Sequence, residues 1–131
     1  MIRIANLEDI DSIKSIADLH RKELGFVIRS ALLNSISKSE CIVKIHNNKP
    51  VGFCHFHKRL DDWTTVYEIA VINEFRRLGY GLEMINWLLE RDHLIRLKCP
   101  IDNESNDFYD RIGTLQETVK GKKRDLNVWI I

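Results

Sequence analysis

One stretch of this sequence decides the fold: residues 67–82 read YEIAVINEFRRLGYGL. Its first half is a dense apolar run, which is typical of a strand buried within a sheet. Its second half is a short basic turn that holds two of the six glycines. An apolar stripe at helical spacing follows, with Leu82, Ile85, Leu88 and Leu89 on one face. The stretch therefore predicts a buried strand that leads through a glycine-bearing turn into an amphipathic helix.

This turn has the chemistry of an anion-binding site. Unpaired N–H groups at a helix start attract phosphate, and the missing Cβ atoms of Gly79 and Gly81 let phosphate oxygens approach those amides. Arg76 and Arg77 add mobile positive charge. The glycines can instead serve the conformation of the turn alone. The spacing matches neither GxGxxG nor GxxxxGK, which excludes dinucleotide-binding and Walker-type loops.

The segments on either side predict alternating strands and helices. Asn6 and Asp9 have the spacing of an N-cap that opens a helix ending near Gly25. The predicted order is strand 2–5, helices 6–25 and 27–36, strands 41–46, 51–56 and 64–72, a helix after residue 81, strand 94–99, helix 103–112, and one or more strands in the tail. This order predicts an α/β (α+β) fold, with one domain over residues 1–131 and a mixed, mostly antiparallel sheet of about six or seven strands with four helices on its faces.

Composition narrows the class of protein. Of the 131 residues, 44% are apolar and 30% are charged, as in ordinary globular domains. The net charge of +1 lacks the strong positive field that nucleic-acid binding normally needs. The N-terminus has no signal-peptide core, and no apolar run reaches the roughly 18 residues of a membrane span. We therefore expect a cytoplasmic protein that binds neither nucleic acid nor membrane.

The cysteines and histidines do not predict a disulfide or a metal site. Cys41, Cys54 and Cys99 are odd in number and form no CxxC pair, so each is interpreted as a small buried apolar residue. His55 and His57 share one face of a predicted strand, but no third and fourth ligand stands at a recognisable spacing. We expect no bound metal.

Two motifs resemble the GNAT superfamily of N-acetyltransferases. The acyl-CoA-binding signature of that superfamily, R/QxxGxG/A, is matched by Arg76, Gly79 and Gly81. Residues 102–113, DNESNDFYDRIG, resemble a later family helix whose hallmark is FYxxxG. The predicted order of elements also matches the GNAT fold over about residues 2–131. The resemblance implies an acetyl-CoA-dependent N-acetyltransferase.

The resemblance also implies roles for individual residues. Tyr109 stands where the family commonly places a tyrosine that meets the CoA sulfur and acts as general acid. Glu68 is the candidate general base, acting directly or through a water. Asp102 occupies the usual place of an asparagine, which leaves open whether Asn103 or Asn106 contacts the cofactor. The implied cofactor-binding residues are Ile69, Ala70, Val71, Arg76, Arg77, Leu78, Gly79, Tyr80, Gly81, Leu82, Asn103 and Asn106.

The acceptor is left open by the sequence. A primary amine of a small molecule or a peptide fits, attacked directly in a ternary complex because no cysteine is indicated as an acyl carrier. A GNAT-fold module that binds CoA or a protein partner without turnover is the alternative, because the general base is not fixed. A monomer and a homodimer are both compatible with the sequence.

Overall fold

The computed structural model describes residues 1–92 and 94–131. The strands are β1 (Ile2–Ile4), β2 (Cys41–His46), β3 (Lys49–Lys58), β4 (Thr64–Val71), β5 (Ile95–Pro100), β6 (Thr114–Lys120) and β7 (Asp125–Ile130). The α-helices are α1 (Ile10–Leu19), α2 (Arg21–Leu24), α3 (Arg29–Ser37), α4 (Tyr80–Arg91) and α5 (Ser105–Ile112). Two 3-10 helices, Leu7–Asp9 and Asn73–Phe75, precede α1 and α4. In this described part of the chain, no helix is long and apolar enough to span a membrane.

All seven strands form one mixed sheet in the order β1-β2-β3-β4-β5-β7-β6. Only β4 and β5 run parallel, and every other neighbouring pair is antiparallel. The predicted α/β class and mostly antiparallel sheet are confirmed. The described residues form five α-helices rather than four, because the first predicted helix breaks at His20 (φ −108°, ψ 26°), outside the helical region.

Each face of the sheet is covered by its own helices. On one face, α1 and α3 bury Ile16 and Leu32 against Phe53 of β3. On the other face, α4 buries Met84 and Leu88 in a cluster that includes strand and α5 residues. These helices are therefore amphipathic, because their apolar stripes face the sheet and their polar sides face solvent.

The parallel pairing of β4 and β5 is short. It consists of three aligned positions, Thr64 to Val66 against Ile95 to Leu97, and both strands continue beyond it. Past this point β5 remains paired with β7 and β4 remains paired with β3. The two strands therefore diverge, and the β5-facing edge of β4 loses its ladder partner.

A β-bulge in β4 changes which side chains share a face. Glu68 is opposite His55 of β3, whereas Val66 is opposite Phe56, so Tyr67 is an extra residue in the ladder. The Tyr67 ring lies 5.1 Å from the His55 ring, centroid to centroid. Tyr67 and Glu68 are thus both presented on the face covered by α1 and α3.

The start of the first helical segment is fixed by a capping arrangement. Asp9 Oδ2 accepts from the Asn6 amide at 2.9 Å, and Asn6 Oδ1 accepts from the Glu8 amide at 3.0 Å. The buried Asp9 carboxylate also accepts two hydrogen bonds from the Arg3 guanidinium of β1, at 2.6 and 2.9 Å. These bonds hold the pKa of Asp9 below its ordinary value, against the opposing effect of burial. Asp9 therefore links β1 to the helical layer.

Asp9→Asn is expected to lower the free energy of unfolding at pH 7 by about 1.5–3 kcal/mol, the range for hydrogen bonds to a charged group. Because the folded-state pKa is lowered, the carboxylate contributes fully above the unfolded-state pKa and its contribution is lost as pH falls through the folded-state pKa. Urea unfolding at pH 7 and at progressively lower pH measures both effects.

The matched control is Asp11→Asn, which removes an exposed pair with Arg29 and should cost less than about 1 kcal/mol. A deficit of Asp9→Asn that stays constant from pH 7 into strong acid would contradict the assignment.

Candidate functional site

A cavity of about 870 Å³ opens where β4 and β5 diverge. It is large enough for a small-molecule or cofactor site. The predicted site residues that line it are Glu68, Ile69, Ala70, Val71, Arg76, Arg77, Gly79, Tyr80, Gly81, Leu82, Asn103 and Tyr109. One cavity thus brings together residues that are up to 41 positions apart, from Glu68 to Tyr109.

The turn before α4 presents backbone amides in the cavity wall. The first hydrogen bond within α4 runs from the Glu83 amide to the Gly79 carbonyl, at 2.9 Å. The amides of Tyr80, Gly81 and Leu82 therefore have no acceptor within the helix. Because the positive end of the helix dipole lies at the same place, this part of the wall favours an anionic group.

The two glycines of the turn are explained by different physical reasons. Gly79 has a φ of +82°, in the left-handed region that favours glycine. Gly81 is the second residue of α4, and a Cβ added there would meet only Phe108 Cζ, at an ordinary contact distance of 3.7 Å. Conformation therefore explains Gly79, whereas Gly81 leaves open space beside the cavity.

Basic side chains surround this wall. Arg76, Arg77, Lys98, Arg111 and Arg124 all line the cavity. The Arg76 Nε atom donates to the Val71 carbonyl at 3.4 Å, which ties this arginine to the end of β4. The described acidic residues of the lining are Glu23, Glu68, Glu104 and Asp107. The end nearest α4 thus combines free amides with mobile positive charge.

The open edge of β4 adds further backbone donors and acceptors. The Ile72 amide donates to Val51 of β3 at 2.8 Å, and the backbone groups of successive residues in a strand alternate in direction. Ile72 and Ala70 therefore face β3, while Ile69 and Val71 face the gap between β4 and β5. The alternation favours Ile69 and Val71 over Ala70 as backbone contacts for a ligand.

Glu68 lies at the same gap, on the bulged part of β4. Its carboxylate Oε2 is 2.5 Å from His55 Nδ1, and its side chain is 19% exposed. Glu68 lines the cavity, whereas His55 does not. The carboxylate is therefore hydrogen-bonded to a buried imidazole on the side away from the cavity. It reaches the cavity from the face of the sheet that α1 and α3 cover.

Tyr109 approaches the cavity from the opposite face of the sheet. It lies on α5, is 7% exposed, and its ring packs near those of Phe108 and Trp129. Its hydroxyl has no hydrogen-bond partner among the described residues. Burial raises the pKa of Tyr109, with smaller contributions from Cys99 and Cys54 in the same direction. The hydroxyl therefore keeps its proton across the neutral and moderately alkaline range.

Two residues predicted to contact the cofactor, Leu78 and Asn106, do not line the cavity. Leu78 is exposed and does not line the cavity. Asn106 does not line it either, because its amide group is used within the fold: Nδ2 donates to the carbonyls of Pro100 and Asn103, both at 2.8 Å, and Oδ1 accepts from Trp129 Nε1 at 2.9 Å. Asn106 is therefore a structural residue.

Asn103 is the asparagine that lines the cavity. Its Oδ1 accepts from the Ser105 amide at 2.8 Å, which caps the start of α5, and its Nδ2 donates to the Glu23 carbonyl at 3.3 Å. The second bond joins the segment before α5 to α2. Of the two asparagines left open by the sequence, the structure favours Asn103.

Sequence reasoning missed His20, which only continues the buried stripe of the first helix. His20 is 3% exposed and lines the cavity. Its Nδ1 donates to the Ile16 carbonyl at 2.8 Å, so Nε2 carries the lone pair. This buried Nε2 has no hydrogen-bond partner in the described part of the chain. An unpartnered buried nitrogen is uncommon and marks His20 as a candidate ligand contact.

The family of the chain follows from a family model that matches residues 8–113, described as acetyltransferase (GNAT) family. This match covers most of the sequence, so the chain belongs to the GNAT acetyltransferase family. The resemblance carried by the two motifs is thereby confirmed. Among curated proteins, no sequence matches the chain.

Solved structures share the fold at low sequence identity. Ard1 from Thermoplasma volcanium has a TM-score of 0.87 and 20% identity, and the alignment covers 100% of this chain and 95% of that one. N-acetylglutamate synthase from Neisseria gonorrhoeae, complexed with coenzyme A and N-acetyl-glutamate, has a TM-score of 0.83 and 16% identity, over 99% of this chain and 34% of that one. Arabidopsis thaliana Naa50, in complex with the bisubstrate analogue CoA-Ac-MVNAL, has a TM-score of 0.80 and 16% identity, over 100% and 97%. At these identities the likeness is one of fold.

The structural role of Asn106 predicts the effect of its removal. Asn106→Ala should lower the free energy of unfolding by about 2 kcal/mol, because it leaves the buried Trp129 indole N–H without its acceptor, whereas the carbonyls of Pro100 and Asn103 keep backbone amide donors. Asn103→Ala, which removes one cap, should cost only about 1 kcal/mol. Urea unfolding of both variants measures the difference, and equal losses would contradict these roles.

Proposed function

We propose that this chain is an acetyl-CoA-dependent N-acetyltransferase that transfers the acetyl group to a primary amine by direct attack in a ternary complex. One observation carries the proposal: a single cavity joins an anion-binding helix start, an unpaired strand edge, a carboxylate and a protonated phenol. Membership of the GNAT family supports acetyl transfer as the reaction class. CoA in complexes of fold neighbours supports acetyl-CoA as the donor.

The residues of the cavity fit the chemical groups of acetyl-CoA. The amides of residues 80–82, with Arg76 and Arg77, match the charge of its diphosphate. The amide-like pantetheine arm needs backbone partners, which the open edge offers at Ile69 and Val71. When bound, acetyl-CoA supplies an acetyl thioester whose carbonyl accepts an amine. A backbone N–H of this edge can polarise that carbonyl in the manner of an oxyanion hole.

Glu68 is the proposed general base. An amine reacts only as the neutral species, so the proton of an ammonium acceptor has to be removed, directly or through a water. Glu68 lines the cavity with a carboxylate that is oriented by His55. His20 is a second candidate, because its buried Nε2 has a lone pair and no partner among the described residues. Comparing Glu68→Gln with His20→Gln separates the two.

Tyr109 is the proposed general acid. As the nitrogen–carbon bond forms and the carbon–sulfur bond breaks, the electron pair of the broken bond stays on sulfur, which then takes the Tyr109 proton. The raised pKa of this phenol ensures that the proton is present. Its hydroxyl also has no competing hydrogen bond among the described residues. Tyr109 therefore has the protonation state that the step requires.

The cysteines support direct attack over an acyl-enzyme. Cys99 lines the cavity, but burial raises its pKa to about 11, with a smaller opposing effect of Arg124. Burial also raises the pKa of Cys41, to about 12. Since the thiolate is the reactive form, thiols with raised pKa values are poor nucleophiles at neutral pH.

The central test is release of free CoA thiol from acetyl-CoA with a panel of acceptors: small amines, amino acids, and peptides with a free N-terminus or lysine. Transfer to at least one amine is expected, with the acetylated product identified by mass spectrometry. The alternative, a GNAT-fold module without turnover, gives acetyl-CoA binding by calorimetry with no thiol release from any acceptor.

Gly81→Val tests the anion site with the fold kept intact. Since a side chain at this position meets only Phe108, the variant should fold, while the branched group should hinder phosphate at the amides and weaken acetyl-CoA binding by at least about tenfold. Calorimetry measures the affinity and thermal unfolding checks the fold. Gly79→Ala is the contrasting variant, because the left-handed φ should cost stability, roughly 1–2 kcal/mol. Normal binding by Gly81→Val would show that the amides do not hold the phosphates.

Tyr109→Phe isolates the hydroxyl, because the ring and its packing are kept. A general acid contributes about 100-fold to 10,000-fold, so kcat should fall within that range while acetyl-CoA affinity changes little. The loss should shrink as pH rises through about 8.5, near the usual thiol pKa, because the sulfur can then leave as an anion. Initial rates from pH 6 to 9 measure this. An equal loss at every pH would exclude Tyr109 as the proton donor.

A further inference from the structure

A buried polar chain leads from α3 through β3 to the cavity. Ser35 Oγ is hydrogen-bonded to His55 Nε2, and His55 Nδ1 is 2.5 Å from Glu68 Oε2. We refer to these three residues as the Ser35–His55–Glu68 chain. Ser35 is 5% exposed and His55 is 8% exposed. Of the three, only Glu68 lines the cavity.

A serine, a histidine and a carboxylate are hydrogen-bonded in the same order as in serine hydrolases. Here, however, the carboxylate and not the serine is the residue that reaches the cavity. In a nucleophilic triad the serine has to reach the substrate, whereas Ser35 is on the buried side of α3 and does not line the cavity. The end that reaches the cavity is the carboxylate. The Ser35–His55–Glu68 chain is therefore suited to orienting the Glu68 carboxylate and not to activating Ser35.

The atoms involved fix the direction of the hydrogen bonds. An ionised carboxylate can only accept, so His55 Nδ1 carries the proton that is shared with Glu68 Oε2. In neutral His55, Nε2 then accepts from the Ser35 hydroxyl. Glu68 Oε1 has no hydrogen-bond partner among the described residues. One carboxylate oxygen is thus tethered, and the other is left for a proton from the cavity.

We propose that His55 is a positioning residue for the general base Glu68, and that Ser35 fixes the ring of His55. This inference rests on the proposed function. The donated hydrogen bond to Oε2 holds the carboxylate in one orientation, with Oε1 left for the cavity. Loss of His55 should therefore lower turnover without changing the residues that are proposed to hold acetyl-CoA.

The other titratable groups around this chain come from four elements. Cys41 of β2 lies opposite His55, and its pKa is raised to about 12, chiefly by burial and less by Glu68. Tyr67 of β4 stacks on His57 of β3, and His57 Nδ1 lies 3.0 Å from Glu40 Oε2. His20 lies at the end of α1. His57 shares a face with His55 but is bonded to Glu40 instead of Glu68, so His57→Asn is the matched control.

The kinetic arm compares His55→Leu, His55→Asn, Ser35→Ala and His57→Asn with the parent. His55→Leu should lower kcat at least about tenfold, part of the contribution of a general base, while the affinity for acetyl-CoA stays unchanged. In His55→Asn the amide nitrogen lies near the position of Nδ1, so kcat should recover to within about threefold of the parent. Ser35→Ala should give a loss between these two, and His57→Asn should leave kcat unchanged.

Acetyl-CoA affinity and thermal unfolding are measured for every variant. An unchanged affinity separates an effect on the base from a general defect. If His55→Leu fails to fold, His55→Asn and Ser35→Ala carry the comparison. In the background of Glu68→Gln, loss of His55 should cause no further fall in kcat, because the two residues act as a unit.

A spectroscopic experiment tests the contact between His55 and Glu68 without measuring turnover. In protein labelled with nitrogen-15 at histidine, the His55 ring signals should shift in Glu68→Gln and should keep their positions in Asp61→Asn, which alters a remote exposed carboxylate. His55 signals unaffected by Glu68→Gln would overturn the inference.

Other outcomes separate the inference from the proposed function. If Glu68→Gln abolishes an activity that His55→Leu leaves unchanged in rate, the inference fails and the function stands. If the parent itself shows no transfer to any acceptor, the proposed function fails. Covalent labelling of Ser35 by a fluorophosphonate would also overturn the inference, because it would make Ser35 the reacting end.

Discussion

The site depends on one constraint: β4 cannot pair with both neighbours along its whole length. Its antiparallel ladder with β3 continues to Val71, while the parallel ladder with β5 ends at Val66. Beyond that position the edge of β4 has backbone groups without ladder partners, and such groups need a ligand or water. The gap becomes the cavity, and the turn that follows β4 delivers the amides of α4 to its wall.

The gap also joins two faces of the sheet that otherwise have separate cores. Glu68 and its partner His55 belong to the face under α1 and α3, while Tyr109 comes from the cluster under α4 and α5. The proposed base and the proposed acid thus reach the same cavity from opposite sides. This arrangement agrees with a donor bound along α4 and an acceptor entering past α1 and α2, where Glu23 and His20 line the wall.

Hydrogen-bond saturation decides between residues that the sequence treats as equivalent. Asn103 and Asn106 stand three positions apart on one motif, and either one fits a cofactor contact by spacing. The structure distinguishes them because the Asn106 side-chain amide is hydrogen-bonded to Pro100, Asn103 and Trp129. Pro100 belongs to β5 and Trp129 to β7, so two of these partners lie on other elements. The role of His55 likewise depends on contacts that the sequence does not reveal, since its partners Ser35 and Glu68 are 20 and 13 positions away.

What the sequence alone determined was local: the strand, basic turn and helix of residues 67–82, the cap at Asn6 and Asp9, the α/β class, and the two motifs that resemble the family. These follow from apolar period, turn chemistry and capping, which act over a few residues. The tertiary structure decided which backbone edge is open, that Asn103 rather than Asn106 lines the cavity, that His20 lines it too, and that His55 contacts Glu68. These features depend on strand register, a bulge at Tyr67 and the packing of α3 on β3, and a residue pattern cannot determine them because they are set by contacts between distant segments.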